Sequence, residues 1–195
     1  ETARTTTPKM CRDMLTETLE IIMNRDEAEL VEKYHKWKDD FMSAPLHDIA
    51  FPRSVNDIGK WRGEDGIPKK GTPIQVKAAI AYNLMLDRHD MKEIERIKDG
   101  SKLKFLYLKP NNPVGLNVIG LVDELPSEFG LDDWVDKETQ FEKALANPIE
   151  SFTTLVGWNP TGRRMSLGDD YFSSAVEEGG TPRATPTPKP RTSSA

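Results

Sequence analysis

The hydrophobic positions of the first fifty residues predict two helices joined by a short connection. Apolar residues recur at helical spacing from Cys11 to Ile22, with Thr7 as the expected cap and Pro8 at the first helical position. Asp26 predicts the cap of a second helix, with Glu29 at the capping-box position. One stripe of large apolar residues follows along it: Leu30, Tyr34, Trp37 and Phe41. We therefore expect an antiparallel helical hairpin that buries this stripe.

Short extended pieces and turns replace the helical pattern after the hairpin. Thr72, Pro73 and Gln75 predict one further helix, in which the threonine and the glutamine form a capping box around the proline. Strands are predicted at residues 102–108 and 116–122, on either side of a Pro-Asn-Asn-Pro turn. We expect these two strands to pair into a small sheet.

A final helical stretch precedes a C-terminal region with almost nothing to bury. Pro148 is expected to kink or divide the stretch, because proline removes a backbone donor. The apolar face of the stretch is predicted to hold Phe141, Leu145, Ile149, Phe152 and Leu155. Residues 173–195 are rich in proline, threonine and serine, which predicts a disordered tail. The fold class is therefore predicted as mainly helical α+β, a helical hairpin and bundle with a small antiparallel β subdomain.

Charge is distributed unevenly along the 195 residues, although the net charge is only -5. Residues 51–109 hold 13 Lys and Arg against 8 Asp and Glu, a net charge of +5. Residues 1–50 carry -4, and residues 110–172 carry -7. The basic segment is open to two interpretations: a solvated lysine-rich surface, or a binding site for a polyanion.

No self-contained catalytic motif is recognisable in the sequence. The single cysteine, Cys11, excludes an internal disulfide and a cysteine-rich zinc module. The histidines His35, His47 and His89 are widely separated, so they do not suggest a zinc site. Phosphate-binding glycine loops and nucleophile motifs are missing, and the chain alone is expected to be non-catalytic. No run approaches the ~18 apolar residues of a membrane helix, so a membrane is not an expected partner.

Basic and amide side chains concentrate in the turn-rich part of the basic segment. Seven of them fall within 25 residues: Arg53, Asn56, Lys60, Arg62, Lys69, Lys70 and Lys77. Lysine and arginine neutralise phosphates, and groups such as Ser54 and Asn56 donate to phosphate oxygens or to minor-groove acceptors. No helix is loaded with base-reading side chains. The set therefore predicts sequence-independent binding to the backbone of a duplex.

Short motifs of the sequence resemble the C-terminal thumb of family B DNA polymerases, particularly those of T-even-type bacteriophages. The thumb motifs are Thr-Thr-Thr-Pro-Lys at residues 5–9, Ser-Val-Asn-Asp-Ile-Gly-Lys-Trp at 54–61, and the helix start at 71–83. Residues 148–153 and 165–172 resemble the end of the same family. The motifs occur in order and with compatible spacing, and the likeness covers about residues 1–172.

The resemblance implies a role in holding DNA. In that family the thumb holds the duplex product behind the active site through backbone and minor-groove contacts. Residues 1–160 are accordingly assigned to a thumb domain whose partner is duplex primer-template DNA. The implied DNA-contacting residues are Arg53, Ser54, Asn56, Lys60, Lys69, Lys70 and Lys77. Gln75 stands where family members often have histidine, and its expected role is limited to the capping box.

The resemblance also assigns residues 161–172 to a C-terminal peptide that binds the sliding clamp. Leu167, Tyr171 and Phe172 are the implied contacts, because a leucine and an aromatic four residues later share one side of a helical turn. The sequence departs from the family at Gly168, where a hydrophobic residue is usual, and in the 23 residues that follow the motif. The alternative is an apolar segment that packs back on the domain.

Catalysis is expected to lie outside this chain. The resemblance implies that nucleotidyl transfer is performed by the palm of the polymerase, with two Mg ions, and editing by its exonuclease part. No cofactor is expected in this chain itself. The chain is then a C-terminal fragment or one half of a split polymerase, with the palm and exonuclease part as partner. Its expected location is the cytoplasm of an infected bacterium.

Three functional hypotheses are therefore open. The first is the thumb portion of a replicative DNA-directed DNA polymerase, which binds duplex DNA and tethers the enzyme to the clamp. The second is a stand-alone, non-enzymatic accessory protein that binds DNA or the clamp. The third is a protein-interaction module without a DNA role, which would show no salt-dependent binding to primer-template DNA.

Overall fold

The computed structural model describes residues 5–163. Within them the elements are, in chain order, α1 Lys9–Asn24, α2 Glu27–Ser43, α3 Leu46–Ile49, β1 Phe51–Ser54, α4 Ile58–Trp61, α5 Ile74–Arg88, β2 Lys102–Tyr107, β3 Val118–Leu121, α6 Lys137–Phe141 and α7 Asn147–Thr153. This order confirms the mainly helical α+β fold class. None of the helices in this part of the chain is both long and apolar enough to cross a bilayer.

The helical hairpin is confirmed, and α1 and α2 pack against each other. The expected cap of α1 is wrong, because the cap residue is Pro8 and not Thr7. The Asp26 carboxylate caps α2 by accepting from the Glu29 amide at 3.0 Å. The Glu29 side chain pairs with Arg25 at 3.2 Å, so only half of the predicted capping box forms. All four residues of the apolar stripe are buried: Leu30, Tyr34, Trp37 and Phe41. Phe141 of α6 packs on this stripe, with its ring centroid 5.3 Å from that of Phe41.

The sheet has three antiparallel strands in the order β1-β2-β3, one more than the two that were predicted. β1 pairs with β2 so that Phe51 lies opposite Phe105, and the two rings stack with centroids 5.3 Å apart. β1 contains only four residues, one of them Pro52, and an edge strand tolerates a proline because one side of it is unpaired. So short a strand gives no alternating pattern, which explains why it was missed.

α5 covers the sheet face that carries Phe105 and Gly120. The contact is close, because a Cβ added to Gly120 would lie 2.8 Å from the Ala78 carbonyl oxygen of α5. Cross-strand partners share a face, and Gly120 is the partner of Phe105 in β3. The glycine therefore sets how closely the helix approaches the sheet.

The predicted capping box at the start of α5 is wrong. The Thr72 hydroxyl donates to the Lys69 carbonyl at 2.6 Å, and the Thr72 amide donates to the same carbonyl at 3.3 Å. The cap residue is Pro73, whose carbonyl accepts from the Lys77 amide at 2.9 Å. Thr72 thus closes the preceding turn instead of capping the helix, and Gln75 has no capping contact.

The edge of β2 that extends past β1 is completed by the side chain of Gln140, which is fully buried. Its amide oxygen accepts from the Tyr107 backbone amide at 3.0 Å. Its amide nitrogen donates to the Ile49 carbonyl at 2.8 Å and to the Phe105 carbonyl at 3.3 Å. One side chain of α6 therefore supplies the hydrogen bonds that a longer β1 would otherwise make.

The last helical stretch is divided as predicted, but not by a simple kink. A π-helical turn, Glu142–Ala146, connects α6 to α7, and Pro148 follows in the first turn of α7. The wider turn suits a proline, which has no amide to continue the ladder. The expectation that Leu155 lies on the apolar face is wrong, because its side chain is 85% exposed. Thr154–Val156 forms a 3-10 turn, which rotates Leu155 out of phase with α7.

Candidate nucleic-acid interface

The candidate interface begins where β1 ends. Ser54 and Asn56 are exposed, whereas Val55 between them is buried. Val55 is held on both of its backbone groups: its amide donates to the Ser101 carbonyl at 3.0 Å, and its carbonyl accepts from the Gly100 amide at 2.8 Å. The polar side chains at 54 and 56 are thus presented by a segment that is tied to the turn before β2.

The short helix α4 places Lys60 beside this segment. Asp57 has a left-handed backbone, with φ of 62°, which turns the chain into α4. The Asp99 carboxylate fixes the start of the helix by accepting from the Ile58 amide at 2.9 Å. The Lys60 ammonium lies 5.2 Å from the centroid of the Trp61 ring and is exposed.

The loop between α4 and α5 brings two further lysines to the same place. Its base is closed by the Lys69 amide, which donates to the Trp61 carbonyl at 2.9 Å. The Lys69 ammonium donates to the Lys60 carbonyl at 2.8 Å, so the two lysines are adjacent although they are nine residues apart. Lys70 follows and is exposed. We call these three residues, Lys60, Lys69 and Lys70, the lysine cluster.

Like Lys69, the other two predicted basic contacts have hydrogen-bond partners inside the protein. Lys77 on α5 is half-buried, and its ammonium lies 3.5 Å from the Asn117 amide oxygen. The Arg53 guanidinium donates to the Thr6 carbonyl at 2.6 Å and lies 5.5 Å from the Phe105 ring centroid. Arg53 therefore fixes the segment before α1 to the sheet.

Some bases of the basic segment have a carboxylate partner and others have none. Near the end of α5 and beyond it, three acids are paired with local bases: Asp87 with Arg96, Asp90 with Lys92, and Glu95 with Lys98. The hydrogen bond from Arg96 lowers the pKa of Asp87 below its ordinary value. Within residues 5–163, by contrast, no carboxylate lies within 4.0 Å of an ammonium of the lysine cluster or of Lys77. The three lysines of the cluster are therefore without a direct ion-pair partner in this part of the chain.

Sequence reasoning missed the residues that hold the interface in place. Asp99 accepts from the first residue of α4, and Asn117 accepts from Lys77. Asn83 fixes the loop before β2 through two 2.9 Å hydrogen bonds with the backbone of Ile97. An Asp-Gly pair such as that at 99–100 is typical of a turn, but the hydrogen bond between Asp99 and Ile58 of α4 spans 41 residues. Only the tertiary structure brings these pairs together.

Other predicted functional features lie outside the described residues or have no counterpart within them. Leu167, Tyr171 and Phe172 of the predicted clamp peptide, and the predicted tail at 173–195, fall outside residues 5–163. In the described part of the chain, no group of three or more His, Cys, Asp and Glu residues could hold a metal ion.

Comparison with known proteins places the chain near the DNA polymerases. It is 27% identical over 161 residues to the DNA-directed DNA polymerase of Enterobacteria phage T4. The matched region covers 80% of this chain but 18% of the polymerase, so the chain spans about a fifth of that protein's length. No protein-family model matches the sequence. The similarity supports a relationship between this chain and DNA-directed DNA polymerases.

Proposed function

We propose that this chain is the thumb portion of a replicative DNA-directed DNA polymerase, which holds the primer-template duplex and tethers the enzyme to a sliding clamp. The observation that carries the proposal is the unneutralised lysine cluster on α4 and the loop after it. It occurs in a chain related to a phage DNA polymerase. The duplex DNA, the clamp and the palm and exonuclease part of the polymerase are the proposed partners.

The geometry of the cluster suits phosphates better than bases. Three lysines lie on a short helix and a loop, and the exposed residues Ser54 and Asn56, which precede that helix, add uncharged donors. Each ammonium that neutralises a phosphate releases counterions, which gives affinity without regard to sequence. A polymerase that moves along its template needs this kind of contact.

Nucleotidyl transfer itself belongs, in this proposal, to the remainder of the polymerase. Its palm carboxylates would hold the two Mg ions, and the present chain would contribute only the grip on the product duplex. The isolated chain is then expected to bind a primer-template without extending it. Primer extension by the purified chain, measured with Mg and all four nucleotides, would contradict this division.

Charge reversal of Lys69 and Lys70 tests the proposed grip. We expect the Lys69→Glu/Lys70→Glu variant to bind a labelled primer-template at least about tenfold more weakly at 100 mM salt. The slope of log K against log salt should also become shallower by about 2, since two phosphate contacts are lost. Fluorescence anisotropy on several unrelated duplex sequences measures both quantities.

The matched control for this test is Lys36→Glu/Lys92→Glu, which changes the net charge equally at two exposed lysines outside the cluster. The control should retain most of the affinity and the full salt slope. Equal affinity of the wild type and the Lys69→Glu/Lys70→Glu variant would remove the cluster from the binding surface. If the test and control variants lose the same amount of affinity, the loss is explained by net charge and not by the cluster.

The proposed clamp tether is tested separately. We expect Leu167→Ala/Tyr171→Ala to abolish binding to the sliding clamp while leaving duplex affinity unchanged, because the two side chains would fill an apolar pocket of the clamp. Surface-immobilised clamp, with the full-length chain in solution, measures the first property, and anisotropy measures the second. Survival of clamp binding in this variant would place the tether elsewhere.

A further inference from the structure

We infer that Lys102, at the start of β2, binds a backbone phosphate of the duplex together with Ser54 and Asn56. This inference rests on the proposed function and extends its interface from α4 to the sheet. Lys102 lies 25 residues beyond Lys77, the last basic residue of the turn-rich segment, so the sequence pattern does not associate it with the site.

The strand register places Lys102 on the surface of the interface. Ser54 and Lys102 are direct cross-strand partners, and both are exposed. Side chains of such partners share one face of the sheet, with Cβ atoms about 5 Å apart. The hydrogen bond between the Val55 amide and Ser101 continues this pairing by one residue. Asn56, the next exposed residue, therefore follows on the same side as Ser54.

The charge of Lys102 is available to a ligand, in contrast to that of its neighbours. The Lys104 ammonium donates to the His47 carbonyl at 2.9 Å, and the Lys98 ammonium pairs with Glu95 at 3.0 Å. Within residues 5–163, the ammonium of Lys102 makes no hydrogen bond, and no carboxylate lies within 4.0 Å of it. Lys102 thus adds an unneutralised charge at the end of the sheet.

Uncharged donors stand beside this charge. The Asn56 side chain and backbone amide, and the Ser54 hydroxyl, have no acceptor in the described part of the chain. A phosphodiester offers two unesterified oxygens, which accept from an ammonium, a hydroxyl and amides at the same time. This combination of donors, around one ammonium and without an arginine fork, favours a backbone phosphate over a base edge.

The test is Lys102→Glu, with Lys102→Gln as a milder variant and Lys36→Glu as the control of equal charge change. We expect Lys102→Glu to weaken duplex binding about 5- to 10-fold at 100 mM salt and to reduce the salt slope by about 1. Lys102→Gln should lower the slope by a similar amount with a smaller loss of affinity. Unfolding midpoints in urea, measured on each variant, confirm that the fold is retained.

The outcomes separate this inference from the proposed function. If Lys69→Glu/Lys70→Glu weakens binding while both Lys102 variants retain wild-type affinity and slope, the Lys102 inference is overturned and the proposed function stands. If the wild-type chain binds no duplex at all, both are overturned. If Lys102→Glu is unfolded, Lys102→Gln decides, since it removes the charge without placing an acid on the strand.

Discussion

At the scale of the residue, Gln140 shows how strongly one buried amide holds two parts of the chain together. It contacts backbone groups at Ile49 and Tyr107, which lie 91 and 33 residues away in the sequence. Ile49 is fully buried, so its carbonyl has no access to water when the glutamine amide is removed. A buried polar group that loses its partner costs about 1–3 kcal/mol.

Replacement of Gln140 by leucine is therefore expected to destabilise the protein. We expect the free energy of unfolding of Gln140→Leu to fall by about 3 kcal/mol, since backbone groups of the sheet edge are left unpaired. Urea denaturation followed by circular dichroism measures the change. Glu138→Gln, at an exposed position of the same helix, should stay within about 0.5 kcal/mol of the wild type. Wild-type stability of Gln140→Leu would show that the edge does not depend on this amide.

The residues of the candidate site were only partly predictable from the sequence. The composition of residues 51–109 indicated a basic surface, and in the described residues Lys60, Lys69 and Lys70 lie on α4 and the loop after it without an ion-pair partner. The contacts of Arg53 were not predictable, because its partners Thr6 and Phe105 are remote in sequence. Local patterns report residue type and spacing, whereas a cation's partner is decided by tertiary packing.

At the scale of the element, periodic segments were predictable and short ones were not. The hairpin of α1 and α2 follows from apolar repeats within helices of 16 and 17 residues. β1 and α4 contain four residues each, which is too short for either periodicity to emerge. The predicted cap of α5 was wrong for another reason: the Thr72 hydroxyl donates to the Lys69 carbonyl and so closes the preceding turn.

The contact between α5 and β3 is a second target for mutation. We expect Gly120→Ala to lower the free energy of unfolding by about 1–3 kcal/mol, because the new methyl group would press on the backbone of Ala78. Differential scanning calorimetry or urea denaturation measures the loss. Gly59→Ala is the matched control, since nothing lies within 4 Å of its added Cβ and its φ is not in the left-handed region. The control should be neutral or stabilised by up to about 1 kcal/mol.

At the scale of the whole molecule, acidic and basic surfaces are separated by segment. The net charge of -5 conceals a basic segment between two acidic ones, and the structure pairs the acids near the end of α5 with local bases. The lysine cluster is left without such partners in the described residues. In the proposed function, this overall acidic protein would present the cluster to DNA, and its affinity would depend on salt more than on net charge.

The buried thiol of Cys11 predicts how stability depends on alkaline pH. Burial raises the pKa of Cys11 from 9.0 to about 12. The unfolded chain thus loses this proton first, so the stabilising contribution of the neutral thiol is complete below pH 9. It is lost as pH rises from 9 toward about 12, at up to ~1.4 kcal/mol per pH unit.

A comparison with Cys11→Ala isolates this contribution. The free energy of unfolding of the wild type should fall more steeply between pH 9 and 11 than that of the variant, as measured by urea denaturation at each pH. Burial also raises the pKa values of Tyr34 and Tyr82, but these groups titrate in both proteins and cancel in the difference. Parallel pH profiles would show that the thiol does not control alkaline stability.

The position of Gln140 has a consequence for motion as well as for stability. Its side chain belongs to α6, and the amide hydrogen that it accepts belongs to Tyr107 of β2. Any opening that separates α6 from the sheet must break this bond and expose the Tyr107 amide. Exchange of that hydrogen with deuterium therefore reports how often α6 separates from the sheet without global unfolding. A single amide signal in the unmodified protein would measure the free energy of that opening.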